Sequence, residues 1–337
     1  MTTASIPATH REVRLAAYPE GKLTDEHFET AEVPVPQPGP GQLLVRNKTM
    51  AVAAVMRTLM AAESPVPMPS FKLGEALTGP SVAEVVAESG TGFAPGDLVT
   101  TLSAGWREYA VIAEAEAERV DPELLPDPGA YLSQGPTAYM GIVRTAEVRE
   151  GDTVFVSGAA GGVGTLAGQI ARLRGAARVI GSTSSQAKAD VLIKELGYDA
   201  VVLRGAGPFE EQLRAAAPDG IDAVFDNVGG EQLEAAVAVA NPGARIALIG
   251  ALSGQLGEGA RATFDTLALV ANSITLRGGA LYDNLHLIPE WHRVFGRGLR
   301  EGTLTFPHAR LSGIESAPRA LRELTEGRHI GAVLVDL

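Results

Sequence analysis

Cysteine is absent from this chain, which excludes disulfide bridges, a thiol nucleophile and any thiolate-held metal. No run of about 18 apolar residues is present to cross a membrane. Positive charge is scarce. There are 28 Lys and Arg against 40 Asp and Glu, a formal net charge of −12, and no basic cluster of the kind a polyanion requires. Neither nucleic acid nor a membrane is therefore an expected partner. The opening MTTASIPATHREVRL lacks the basic start and apolar core of a secretory signal, so a reducing cytoplasm is the expected compartment. Internal repeats, heptads and low-complexity tails are also missing. What remains is a 337-residue chain, 45% hydrophobic, long enough for two globular domains.

The densest signal is the segment Ser157–Gly164, SGAAGGVG. It follows a short apolar run, Thr153–Val156, and opens into a helix-like stretch, Thr165–Arg174. A strand, a glycine turn and a helix in that order form an anion site, because unpaired N–H groups and the positive end of the helix dipole point at one spot. Ala159, Gly161 and Gly164 fall on the three positions of G-x-G-x-x-G, with alanine in place of the first glycine. Gly161, Gly162, Val163 and Gly164 are the expected contacts to the pyrophosphate of a nicotinamide dinucleotide.

Ala177–Thr183 reads as the second strand of the βαβ unit, ending about 20 residues after Gly161. A chain built for NAD places an acid there to accept from the ribose hydroxyls. This chain has Gly181-Ser182-Thr183-Ser184-Ser185 and then Lys188, with Arg204 after the apolar strand Ala200–Leu203. Hydroxyls and cations accept the extra phosphate that a carboxylate would repel. Ser184, Lys188 and Arg204 therefore predict NADP(H), although Lys188 and Arg204 can also be read as ordinary solvated charges.

Further apolar strands follow at Ala223–Phe225, capped by Asp226-Asn227-Val228-Gly229-Gly230, and at Arg245–Ile249, followed by Gly250-Ala251-Leu252-Ser253. Strand ends rich in Asn, Gly and Ser mark the carboxyl edge of a parallel sheet, and strands alternate with helical patterns from about 153 to 280. The expected fold class is α/β with a doubly wound sheet. The first part of the chain differs. Glu12–Ala17, Leu43–Lys48 and Val82–Ser89 read as short strands broken by Val33–Pro38, Pro65–Pro69 and Gly90–Gly96, which suggests an antiparallel barrel. Gly331–Leu337, GAVLVDL, is a strand able to return to it. The expected domains are 127–298 for the nucleotide and a discontinuous 1–126 plus 299–337 around it.

These residues resemble the medium-chain dehydrogenase/reductase superfamily, and within it the zinc-independent leukotriene/prostaglandin reductase and alkenal double-bond reductase group. The likeness covers nearly the whole chain. It is carried by Met56-Arg57, Phe71–Gly74, Gly96-Asp97, Gly105–Tyr109, Thr137-Ala138-Tyr139, Ala159–Gly164 with Gly168–Ala171, Phe225–Gly230, Arg245–Ser253 and Gly327–Val333. The resemblance implies a GroES-like domain with an inserted Rossmann domain, a homodimer, and NADPH-driven reduction of the C=C bond of enones or enals. It implies cofactor contacts at Thr137, Gly161–Gly164, Lys188, Asn227, Gly250, Ala251, Ser253, Gly279, Ala280 and Leu281. Several positions depart from the family pattern. Gln255-Leu256 replaces a tyrosine–asparagine pair, Arg204 a cofactor-side tyrosine, His329 an asparagine at the cofactor, and Ala53-Ala54 an Asp-Pro.

A zinc alcohol dehydrogenase of this superfamily needs Cys and His near the nicotinamide, whereas this chain reads Gly74-Glu75-Ala76 where such an enzyme has Gly-His-Glu. His286 and His292 are too isolated to form a site, so no metal is expected. Metal-free hydride delivery suits a carbon made electrophilic by conjugation, with donors stabilising the enolate oxygen and a proton arriving at the α-carbon. The candidate donors are Tyr282, Gln255 and Arg57. Tyr139 is the better fit for a packing residue, and water is an alternative proton source. The expected partner is a small hydrophobic conjugated carbonyl compound. Quinone reduction, or a catalytically silent NADPH-binding protein, are the alternative readings.

Overall fold

The computed structural model describes residues 6–255 and 260–337, with the side chain of Gln255 outside that description. The chain begins with an antiparallel ribbon of β1 (Thr9–Leu15) and β2 (Phe28–Pro34). Strand β1 starts three residues before the expected Glu12 and pairs with a strand whose prolines read as a break. Pro34 sits at the end of the register, opposite Thr9, where a missing N–H interrupts no ladder. Next come β3 (Gln42–Val52), β4 (Ser81–Ser89), β5 (Leu98–Thr101), β6 (Tyr109–Ala113) and the short β7 (Glu118–Arg119). They pair antiparallel, and Leu43, Val45, Val85, Val99 and Ile112 fill the interior.

The chain then turns to a regular alternation of strand and helix. Strands β8 (Thr153–Val156), β9 (Arg178–Thr183), β10 (Ala200–Leu203), β11 (Ile221–Asp226), β12 (Ala240–Leu248) and β13 (Thr275–Gly278) form, among the described residues, one parallel sheet. Its spatial order is β10-β9-β8-β11-β12-β13. The chain winds outward in one direction from β8, returns, and winds outward in the other from β11. The order therefore reverses between β8 and β11, and in such sheets ligands bind outside the carboxyl ends at that reversal. Buried Val154, Phe155, Val156, Val224 and Phe225 explain why the two central strands read as apolar runs rather than alternations. Strand β12 begins at Ala240, ahead of the expected Arg245, because the chain passes through Asn241-Pro242-Gly243 with Gly243 at φ 79° and a register shift against β11.

The last two strands, β14 (His308–Ser312) and β15 (Ala332–Asp336), return to the first sheet, where β15 pairs antiparallel with β3. The chain thus divides into two compact units. One runs to Ser133 and takes in His308–Arg328 and Ala332–Leu337; the other is Gln134–Pro307 with His329–Gly331. The architecture is a mostly-β barrel-like unit interrupted in sequence by a doubly wound one. No helix among the described residues is long and apolar enough to cross a membrane.

Candidate functional site

The turn after β8 is shaped by what a side chain would strike. A Cβ on Gly164, the first residue of the helix Gly164–Leu173, would lie 2.5 Å from the Gly158 carbonyl oxygen and 2.6 Å from the Ala159 Cα. Both neighbours are main chain and cannot yield, so the helix can approach the strand only with glycine there. Gly161 serves a different purpose. It is exposed, and an added Cβ would meet only the Gly158 oxygen, at 3.6 Å. Bare backbone there faces open space. The N–H groups of Val163 and Gly164 make no hydrogen bond among the described residues. A helix N-terminus with unpaired donors and an uncovered glycine is the requirement for a phosphate.

The segment His329–Gly331 lies along the same turn. Gly331 N–H donates to the Ala160 oxygen at 2.9 Å and pairs in a parallel bridge with Gly161. Gly331 tolerates no other residue, since it sits at φ 77° and a Cβ would fall 1.9 Å from the Pro307 oxygen. The Lys188 ammonium donates to the His329 carbonyl at 2.6 Å, and partial burial lowers its pKa. His329 is thus brought to the glycine turn, and its main-chain carbonyl makes the contact to Lys188.

At the reversal point, Ser157 ties β8 to β11. Its hydroxyl donates to Asp226 Oδ1 at 2.6 Å and accepts from Asn227 N–H at 2.8 Å, while Asn227 Nδ2 donates to the Ser157 oxygen at 3.1 Å. Asp226 Oδ2 also accepts from Gly229 N–H at 2.9 Å. Burial of Asp226 raises its pKa, and these donors oppose that rise. Ser157 and Asp226 were missed by sequence reasoning. The signal was the pairing of a Ser and an Asp at the ends of two adjacent buried strands.

Beyond the network, Ile249 and Gly250 N–H both donate to the Asp226 oxygen, and Gly250 has no room for a Cβ because Asn227 O would lie 2.8 Å away. Ser253 donates through its hydroxyl to the Val228 oxygen at 2.5 Å. Gly250, Ala251 and Ser253 are exposed at the carboxyl end of β12. Gly279 follows β13 and is backed by Thr145 and Ile249, with Ala280 and Leu281 half-buried beside it. Thr137 is half-buried in the helix Gly135–Met140. At the other end of the sheet Leu203 pairs with Thr183, so Ser184 and Arg204, both exposed, are next in register, and Lys188 lies in the first turn of the following helix, Gln186–Glu195.

The predicted donors fall in both units. Tyr282 is 57% exposed on a 3-10 turn, Leu281–Asp283. Arg57 lies in the other unit and donates through Nη2 to the carbonyls of Pro19 and Gly21, each at 3.0 Å. Gln255 ends the short helix Leu252–Gln255; its side chain and Leu256 lie outside the described residues. Tyr139 is buried against Trp291 and donates to Glu290 at 2.7 Å, and burial together with that carboxylate pushes its phenol up to about 12.

Two family models match in succession, the N-terminal domain of oxidoreductase over residues 11–120 and zinc-binding dehydrogenase over residues 162–296. The chain is 31% identical to the NADP(+)-dependent 2-alkenal reductase of Nicotiana tabacum, over 97% of each chain. It is 31% identical to the NADPH-dependent curcumin reductase of Escherichia coli, over 95% of each. The chain belongs to the medium-chain dehydrogenase/reductase superfamily, in its zinc-independent double-bond reductase group. Among solved structures, CurA from Vibrio vulnificus in complex with NADPH superposes with a TM-score of 0.88 at 30% identity, covering 97% of this chain and 98% of that one.

Proposed function

We propose that this NADP-dependent oxidoreductase reduces the carbon–carbon double bond of a small hydrophobic α,β-unsaturated carbonyl compound, an enone or an enal. The observation that carries the cofactor half is the carboxyl edge of the parallel sheet. It offers uncovered glycine and free N–H groups at the end of β8, and hydroxyl and cationic groups with no acid at the end of β9. These groups fit a pyrophosphate and a ribose phosphate respectively. Gly161–Gly164 hold the first, and Ser184, Lys188 and Arg204 hold the second. Asn227, Gly250, Ala251, Ser253, Gly279, Ala280, Leu281, Thr137 and His329 line the rest. When bound, the coenzyme supplies hydride to the β-carbon of the conjugated alkene.

The chain's own task is then to stabilise charge on the carbonyl oxygen and to deliver a proton to the α-carbon. Tyr282 is the donor this reading selects, because its phenol follows directly on the Gly279–Leu281 strip. Gln255 is an amide that orients an oxyanion without titrating. Arg57, committed to two carbonyls, acts by holding its own loop. The test is NADPH oxidation against a panel of enones and quinones, in wild type and Lys188→Glu. Enones should turn over. The variant should lose roughly ten- to hundredfold in NADPH affinity and far less in NADH affinity, as expected for a charge-assisted phosphate contact. Equal losses for both coenzymes would remove Lys188 from the phosphate site, and turnover confined to quinones would replace the substrate class.

Strand β13 supports a homodimer. It lies at the end of the sheet and, beside it, the helix Thr266–Ala271 exposes Leu267 (69%) and Val270 (75%). An uncovered strand edge next to exposed apolar side chains invites a second copy. Leu267→Asp with Val270→Asp should halve the mass measured by analytical ultracentrifugation; an unchanged mass would place any interface elsewhere.

A further inference from the structure

We propose that Tyr198 is a positioning residue for the dinucleotide site, a buried wedge that sets the helix Gly164–Leu173 at its working distance from the sheet. The inference rests on the coenzyme reading above. Tyr198 follows Gly197, whose φ of 73° takes the chain out of the helix Gln186–Glu195, and its side chain is 2% exposed. Two glycines leave room for the ring. A Cβ on Gly168, one turn into the glycine-turn helix, would lie 2.3 Å from Tyr198 Cζ, and one on Gly181, in β9, would lie 2.9 Å from Cδ1 and Cε1. The ring therefore fills the space that both missing side chains would have taken between strand and helix. Its hydroxyl donates to the carbonyl of Gly164 at 2.8 Å. Gly164 also carries one of the unpaired N–H groups of the glycine turn, so the bond fixes the residue that presents a donor to the phosphate.

A phenylalanine at 198 would fill the gap; only a tyrosine also pins the first residue of the helix. Burial raises the phenol's pKa, so it stays protonated and a donor throughout the working range of pH. The contact is made at the first residue of the helix after β8, which would hold the pyrophosphate, whereas Ser184, Lys188 and Arg204 follow β9 and β10. It should consequently affect every dinucleotide alike and leave the hydride step alone.

The experiment compares wild type, Tyr198→Phe and Lys188→Glu in titrations with NADPH and with NADH, alongside kcat at saturating NADPH and amide hydrogen exchange over residues 161–168. For Tyr198→Phe the Kd of both coenzymes should rise equally, by roughly three- to tenfold as for one buried hydrogen bond. Its kcat should be unchanged, and exchange should quicken in that segment alone. A loss confined to NADPH, a fall in kcat with Kd unchanged, or no change in either would overturn the proposal. Gly168→Ala forms the second arm. It should weaken both coenzymes by tenfold or more, and pairing it with Tyr198→Ala should restore part of the loss; no restoration would also count against the wedge. If wild type bound neither coenzyme, the coenzyme reading itself would fall, an outcome separate from any failure of Tyr198.

Discussion

The two halves of the sheet's carboxyl edge are built on different terms. At β8, β9 and β11 the turn is held from behind at every point: Gly164 against Gly158, Gly181 against Ala159 and Tyr198, and Ser157 bonded to Asp226 and Asn227. At β12 and β13 the same edge is carried by exposed residues, Gly250, Ala251, Ser253 and Tyr282, whose positions are set mainly by main-chain bonds. The first half is fixed by packing and suits a group that must be gripped the same way in every turnover. Gly250 and Gly279 apart, where a Cβ would strike Asn227 and Thr145, the second half is free to vary in side chain without disturbing a core, which suits the part of a site that meets substrate and moves protons.

The comparison breaks most visibly if chemistry resides in the exposed half. Tyr282→Phe removes the hydroxyl of a residue that is 57% exposed and lies outside the buried core, so folding and coenzyme affinity should be unaffected. If the phenol delivers the proton, turnover of an enone should drop on the order of 10²- to 10⁴-fold. Stopped-flow NADPH oxidation reads this directly. Near-wild-type turnover would assign the proton to water and leave the exposed half with binding alone.

Glycine substitutions sharpen the same contrast with a smaller effect. Gly164→Ala forces a Cβ onto main-chain atoms at 2.5 and 2.6 Å, and overpacking of that kind costs about 1–3 kcal/mol of stability; coenzyme affinity should fall as well, because the displaced residue begins the helix at the anion site. Gly278→Ala, in β13, meets nothing within 4 Å and should change stability by no more than about 0.5 kcal/mol. Thermal midpoints and coenzyme titrations on the two variants should separate cleanly. Similar penalties would mean the halves are equally constrained.

Legibility in the amino-acid sequence follows the same division. Ser157–Gly164 can be read because close packing and phosphate approach each demand glycine at a set spacing, and the missing acid after β9 can be read because charge repulsion is independent of fold detail. The barrel strands are legible in outline, yet β2 is hidden by prolines that sit at a strand's end, and β12 by a Pro-Gly pair that the sheet absorbs in a register shift. Tyr198 is invisible in sequence because its meaning lies in two glycines 30 and 17 residues before it, at Gly168 and Gly181, brought together only by the fold. Arg57 is legible as a charge beside a motif, but the carbonyls it serves, Pro19 and Gly21, have no sequence signature.

The smallest effect tests whether the packed half contains its own weak point. Asp226 is a carboxylate at 1% exposure, and its pKa lies above the ordinary value because burial disfavours the charge. A carboxyl group shifted upward in the folded state holds its proton there at a pH where the unfolded chain has lost it. Its contribution to stability is complete below the unfolded value and is lost as pH rises through the folded one. Asp226→Asn cannot titrate, and it replaces an acceptor for Ser157 or Gly229 with a donor, a change worth about 1 kcal/mol. The variant should therefore trail wild type most in acid, and the gap in thermal midpoint should narrow as pH rises toward neutrality. A gap that widens instead would show that the Ser157, Val228 and Gly229 donors outweigh burial and hold Asp226 as an anion, making this network an electrostatic support of the turn as well as a steric one.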